Sequence, residues 1–381
     1  MKVVRTDARN KYSQAARIEI SVLESLGRVD PEGRHHCVRL RRHFMHRGHV
    51  CLVFDKLGLS LFDFLRKNSY QPFPVALVAH FGAQLLGAMQ FIHSQKLMHT
   101  DLKPENILLQ DSTYEKQPAA PGSKVLTKVP TSSSIWLIDF GSATWEEQYH
   151  SSVVSTRHYR APEVILGLGW SYPCDVWSLG CILLELLTGE ALFQTHENLE
   201  HLAMMEVVLG PIPESVACRA DHHARKYFRS PGYTELRWPE GSSSRDSVRE
   251  VKKQQALGAL VAARVPPALA PELTDLLAAM LRFDPRHRIT AAQALQHPFF
   301  AAVAAAPQAG ASAAQQQPPP PMMRPPPPPR PRHGGGAPEA GGAHAPPAGP
   351  PRGAEYPRRG CAASSADRAD DRRHAAVRTM H

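Results

Sequence analysis

Between positions 99 and 106 the chain reads His-Thr-Asp-Leu-Lys-Pro-Glu-Asn, with an aspartate at 101, a lysine at 103 and an asparagine at 106. A second aspartate follows in Asp139-Phe140-Gly141, and Ala161-Pro162-Glu163 begins 22 positions after it. A carboxylate can orient a hydroxyl and take its proton. An ammonium can neutralise phosphate oxygens. A carboxylate and an amide oxygen together suit a hard cation such as Mg²⁺. Each short motif recurs by chance; the ordered set does not.

Such groups act only if regular elements hold them in place. The segment ILLQ (107–110) and the segment IWLID (135–139) read as short apolar strands, with 24 mostly polar, Pro- and Ser-containing residues between them. HVCLVFDKL (49–57) reads as a strand ending in a turn near Gly58. Val78, Phe81, Leu85, Met89 and Ile92 recur at helical spacing and lead into HSQKLMHTD. SLGCILLELLTGEALF, interrupted by Glu185, reads as a buried helix, and LTDLLAAMLRF and AAQALQHPFF read as further helices. No internal repeat is visible.

The ordered set resembles the eukaryotic protein kinase signature. That resemblance implies an α+β fold of two lobes, a small antiparallel-sheet lobe and a large, mainly helical one. It implies that ATP and Mg²⁺ are used, with Asp101 orienting the acceptor hydroxyl and Lys103 reaching the transferring phosphate. Asn106 and Asp139 are the implied metal ligands, Phe140 packs beneath the site, and Gly141 frees the backbone to turn. Asp175 of CDVWSLG is implied to steady the backbone of the catalytic loop, and Glu163 to pair with Arg288 far from the chemistry. Phe54 is the implied residue at the back of the adenine pocket, Asp55, Lys56 and Leu57 the hinge, and Leu109 the pocket floor.

His-Thr-Asp, STRHYRAPEVILGLGWS and Glu200-His-Leu-Ala-Met-Met-Glu206 narrow the resemblance to the LAMMER, or CDC-like, kinases. It runs from about residue 2 to 300 and takes in two inserts, one between Leu109 and Ile135, the other around KYFRSPGYTELRWPEGSSSRDSV. Two positions depart. Thr100 stands where many kinases carry an arginine that gathers an activation-loop phosphate, so the segment from Gly141 to Glu163 is expected to fold without phosphorylation. Val207 replaces the arginine that usually closes the LAMMER motif. The resemblance implies dual specificity, Arg/Ser-rich splicing factors as substrates, and the nucleus as the location, with the cytoplasm second. Glu146, Glu147, Glu197 and Glu200 are the acidic candidates for gripping Arg-rich peptides.

The chain opens MKVVR, and in kinases a strand of this kind carries a lysine that pairs with a glutamate on the next helix while contacting the α/β-phosphates. Lys2 and Glu19 fit those roles, 17 positions apart. The glycine-rich loop belongs ahead of that lysine, so the small lobe is expected to be truncated at its N-terminus. A chain lacking that loop should bind ATP poorly, which leaves a non-catalytic scaffold or binding protein as the alternative function.

Composition bounds the rest. Hydrophobic residues form 43% and charged residues 21%, ordinary for a globular chain. Six scattered cysteines form no CxxC pair, which suggests neither zinc nor disulfides and fits a reduced, intracellular setting. No charge-free apolar run is expected to reach the roughly 18 residues of a membrane span. Of the net charge of +9, the stretch from Ala301 holds +5, so no direct nucleic-acid contact is expected of the folded part. The expected organisation is residues 1–57 as a partial small lobe, 58–300 as the large lobe and 301–381 as a disordered Pro/Ala/Gly/Arg-rich tail. Its PPPPMMRPPPPPRPR stretch favours polyproline II and could dock on an aromatic groove of a partner domain.

Overall fold

A computed structural model describes residues 1–4, 11–118, 123–124 and 126–306, leaving aside the side chains of 11–13. The tail's polyproline segment and its aromatic-groove partner lie outside the described residues.

The chain starts on strand β1 (Lys2–Val4) and continues through helix α1 (Lys11–Val29) to the hairpin β2 (Arg42–His46) and β3 (His49–Val53). These strands form one antiparallel sheet in the order β1-β3-β2, with Val3 opposite Cys51 and Phe44 opposite the same Cys51. Val50 and Leu52 point from the sheet onto Ala16 of α1, a small apolar cluster that Val4, Ile20, Leu40 and Phe54 complete. This packing fixes the register between β1 and α1, and so between Lys2 and Glu19.

The larger core gathers around two helices. Helix α2 (Leu61–Lys67) starts at Ser60, whose hydroxyl accepts the Asp63 N–H at 2.9 Å. Helix α3 (Val75–Ser94) follows. Contrary to expectation, α3 carries no charged residue and is apolar enough by length and composition to cross a membrane. Its Leu77, Val78, Phe81, Leu85, Leu86, Met89 and Ile92 are buried in the large lobe's core, which makes it a core helix. Each such side chain contributes about 1.5–3 kcal/mol of burial.

After α3 come β4 (Leu97–Met98), β5 (Ile107–Leu109), the hairpin β6 (Tyr114–Pro118) and β7 (Leu126–Pro130), then β8 (Ile135–Leu137) and β9 (Thr144–Trp145). β5 pairs antiparallel with β8, as the two apolar runs suggested, and β4 with β9. The insert between them, read only as polar chain, forms the β6–β7 hairpin, with Lys116 opposite Lys128. Asn68 of the large lobe ties the hairpin down through Thr127 and Lys128.

The remaining helices are α4 (Pro162–Ile165), α5 (Pro173–Thr188), α6 (Asn198–Leu209), α7 (Glu214–Ala217), α8 (Arg245–Lys253), α9 (Leu257–Ala262), α10 (Ala270–Met280), α11 (Ala291–Leu295) and α12 (Pro298–Ala305). α12 runs across the boundary expected at residue 300. α5 ends at Gly189, φ +85°, where any Cβ would lie 2.0 Å from the Tyr70 carbonyl oxygen, so only glycine fits. The five described cysteines are all free.

Candidate active site

The catalytic loop is built from below. Asp175, near the start of α5, is 1% exposed, and its two carboxylate oxygens accept the backbone N–H groups of His99 and Thr100, each at 2.9 Å. His93 reaches the same carboxylate at 3.0 Å. Burial alone would raise the Asp175 carboxyl, but the His93 contact and the backbone donors hold it below its ordinary value. Thr100 needs that support: it is β-branched yet sits at φ +65°, a conformation that costs on the order of 1–3 kcal/mol. Its hydroxyl donates to the Ser142 carbonyl at 2.7 Å, tying the catalytic loop to the segment after Asp-Phe-Gly. Where an arginine was absent, a hydroxyl makes a direct link.

Above this floor Asp101 is gripped on both oxygens. Oδ2 accepts from Lys103 Nζ at 2.8 Å; Oδ1 accepts from Thr156 Oγ1 at 2.6 Å and Thr156 N at 3.1 Å. Asn106 Nδ2 donates to the Asp101 carbonyl at 2.9 Å, leaving its amide oxygen free to face a cation. The Ile138 N–H donates to the Asn106 carbonyl at 2.9 Å, which brings the neighbouring Asp139 alongside. Asp139 itself, φ +64°, turns the chain there. The turn was expected at Gly141, which has no positive φ; a Cβ there would make only ordinary contact with Asp139 Oδ1, at 3.4 Å. Phe140 is fully buried and meets the His99 ring edge-on, its centroid 5.1 Å away.

The small lobe closes the group. Lys2 Nζ lies 3.0 and 2.9 Å from the two oxygens of Glu19 and 2.9 Å from Asp139 Oδ1. Burial alone would lower the Lys2 ammonium, but the carboxylates on either side hold it above its ordinary value. Burial would likewise raise Asp139, yet Lys2 holds that carboxyl below its ordinary range, with His99 and Lys103 adding to the effect. Both groups are therefore charged at neutral pH.

The expected adenine-pocket residues are placed unevenly. Phe54 and Leu57 are half-buried at the edge of the core, on the link between the lobes. The exposed Asp55 carboxylate is held by Arg41 at 2.6–3.0 Å, leaving its backbone for any hinge role. Leu109 is fully buried in the core and cannot line a pocket. Strand alternation turns Ile107 and Leu109 inward, so the half-exposed Leu108, which sequence reading passed over, is the β5 residue on the open face.

The acidic candidates also divide. Glu146 pairs with Lys96 at 3.2 Å, and Glu147 is exposed. Glu197 accepts from Ser243 Oγ at 2.7 Å. Glu200 is 5% exposed and caps Thr195 and the His196 N–H, so it cannot meet a peptide. Glu163 and Arg288 form a wholly buried two-pronged pair at 2.7 and 2.8 Å.

This arrangement, two carboxylates and an amide facing one lysine on each lobe, defines the class. The protein kinase domain family matches residues 1–300, and the chain belongs to that family. Its fold is similar to the crystal structure of the PF14_0431 kinase domain, at TM-score 0.71 and 37% identity, covering 78% of this chain and 86% of that one. Within the family it is a member of the LAMMER, or CDC-like, branch. It is 55% identical to the serine/threonine-protein kinases AFC2 and AFC1 of Arabidopsis thaliana, over 79% of this chain and 70% and 64% of theirs. It is 47% identical to the dual specificity protein kinase CLK2 of Homo sapiens, over 76% of this chain and 56% of that protein. It is thus a protein kinase, whose substrates are ATP and a protein, used with a divalent metal.

Proposed function

We propose that this chain transfers the γ-phosphoryl group of ATP to serine or threonine, and to tyrosine on itself, with Arg/Ser-rich splicing factors in the nucleus as its protein substrates. The observation that carries the reading is Asp101, whose carboxylate sits between the Lys103 ammonium and the hydroxyl of Thr156, where an acceptor hydroxyl can take the place of that contact. Asp101 orients the acceptor and receives its proton. Lys103 faces the transferring phosphate and Lys2 the other phosphates, each a cation fixed before the substrate arrives.

The donor set fits Mg²⁺. Asn106 Oδ1 and one oxygen of Asp139 are free hard donors, and no cluster of three His, Cys, Asp or Glu side chains suited to a metal occurs among the described residues. Two protein ligands completed by phosphate oxygens is how Mg²⁺ is commonly held. When bound, the ion neutralises charge on the phosphates. No observation among the described residues favours the binding-only scaffold, since Lys2, Glu19, Asp139, Asp101 and Lys103 are all engaged with one another across the site.

The test is phosphate incorporation from Mg·ATP into a peptide of alternating Arg and Ser, compared with one in which each Arg is Gln. The proposal expects incorporation that chelation by EDTA abolishes and that favours the Arg peptide at least tenfold. Equal rates on both peptides would remove the Arg/Ser assignment while leaving the kinase reading intact.

A further inference from the structure

A cavity of about 380 Å³ opens on the large lobe at Arg157, the residue after Thr156, and its wall carries more positive charge than anything there balances. Arg157 donates only to a neutral partner, Asn198 Oδ1, at 2.9 Å. Lys226 lies over the Tyr227 ring, 5.2 Å from its centroid, and the Arg237 side chain has no ion-pair partner among the described residues. The one carboxylate in the wall, Glu197, is occupied by the Ser243 hydroxyl.

The wall is a shaped one. Gly241 lets its loop fold so close that a Cβ there would lie 2.7 Å from the Arg237 carbonyl oxygen and 3.0 Å from its Nε. Asn198 links the wall's two sides, accepting from Arg157 and donating to the Tyr227 hydroxyl at 3.1 Å, whose own proton is left for a ligand. Neighbouring groups register the surplus charge. Burial, His196 and Arg157 together hold His158 below its ordinary value, and burial with Arg157 does the same to Arg160.

Three cations share the wall with a single carboxylate, which leaves a surplus of positive charge that a bound anion would relieve. Guanidinium forks and an ammonium converging on one cavity suit a phosphate dianion better than a single carboxylate. Arg157 follows directly on Thr156, which touches Asp101, so the cavity opens on the same segment that meets the acceptor site.

We infer that this cavity binds a phosphoserine already present on the protein substrate close to the acceptor, so that the enzyme favours chains that have begun to be phosphorylated. The inference rests on the proposed transfer to serine-containing peptides, but its site and its test are separate from that reaction.

The test is direct binding without ATP. A fluorescent Arg/Ser peptide with one phosphoserine within three residues of an unmodified serine, in either order, is compared with the unphosphorylated peptide. One hydrogen-bonded charge contact makes about a tenfold difference in Kd, so that is the expected advantage in at least one order. Lys226→Met with Arg237→Gln, both exposed, should bring the ratio near one and leave the Tm unchanged or higher, because like charges have been removed. Inorganic phosphate at millimolar concentration should erase the advantage in the parent chain. Equal Kd values for all peptides would overturn the inference, as would an advantage that survives in the double variant. Competition by inorganic phosphate without any phosphopeptide advantage would show a small-anion site only and overturn it too. Absence of phosphoryl transfer with the tenfold binding advantage intact would sink the proposed reaction and not this site.

Discussion

Two charged regions of the molecule are built on opposite terms. In the site, the Lys2–Asp139 pair leaves 30% and 36% of its side chains exposed; within the large lobe, the Glu163–Arg288 pair leaves none. Exposed ion pairs contribute little to stability because water screens them. Buried ones cost much to desolvate, and removing one partner strands the other. The comparison teaches that this protein keeps its exchangeable charges where a ligand must enter and its fixed ones where the activation segment and catalytic loop need a foundation. Asp175 belongs to the second kind, since it spends both oxygens on backbone.

The sharpest way to break that contrast is Arg288→Met, which leaves the Glu163 carboxylate buried and unpaired. Denaturant unfolding should show a loss of about 3–5 kcal/mol. A loss under about 1 kcal/mol would mean that the pair is no foundation.

Asp139→Asn acts on the other side of the comparison. It should lower phosphoryl transfer by about 10²–10³-fold. The Tm should stay near that of the parent chain, because Lys2 keeps Glu19.

Glu185 tests the foundation through pH. Burial pushes its carboxyl up to about 7, while the Tyr159 hydroxyl donates to it at 2.6 Å. An acid whose pKa is raised in the folded state stabilises fully below its ordinary value of 4.5 and loses that contribution as pH rises through about 7. Glu185→Gln should therefore match the parent at pH 5 and be more stable at pH 8 by about 2 kcal/mol. A variant whose stability falls in parallel with the parent's between those pH values would show that another group titrates.

The smallest effect belongs to Lys2→Met. Stability should fall by about 1 kcal/mol, because the buried Glu19 loses its counter-charge, a loss limited by its readiness to take up a proton there. Thermal stabilisation by Mg·ATP should nevertheless disappear. A large loss of stability would place Lys2 among the fixed charges instead.

How much of this was legible in the sequence follows from how local each signal is. Asp101, Lys103 and Asn106 sit within six residues, so their types and spacing almost determine their placement. Lys2 with Glu19, and Glu163 with Arg288, were reached only through the family's pattern, and the structure brings each pair together. Leu109 was misjudged because a three-residue strand alternates, and nothing in ILL says which of its two faces the core will take. Glu200 reads as a surface charge until the turn at Thr195 folds back onto it. The β6–β7 hairpin was missed because its strands are polar, KQP and LTK, and depend on Asn68 for their seat. Helix α3 shows the converse limit: its composition fits a membrane span, and only tertiary packing identifies it as core.

The account depends most on Asp101 acting on the acceptor hydroxyl. The direct measurement is the single-turnover rate of phosphate transfer from Mg·ATP to an Arg/Ser peptide, for the parent chain and for Asp101→Asn, with matched Tm values as the check on folding. The predicted result is a fall of about 10²–10⁴-fold in the variant. An unchanged rate in a folded variant would contradict it.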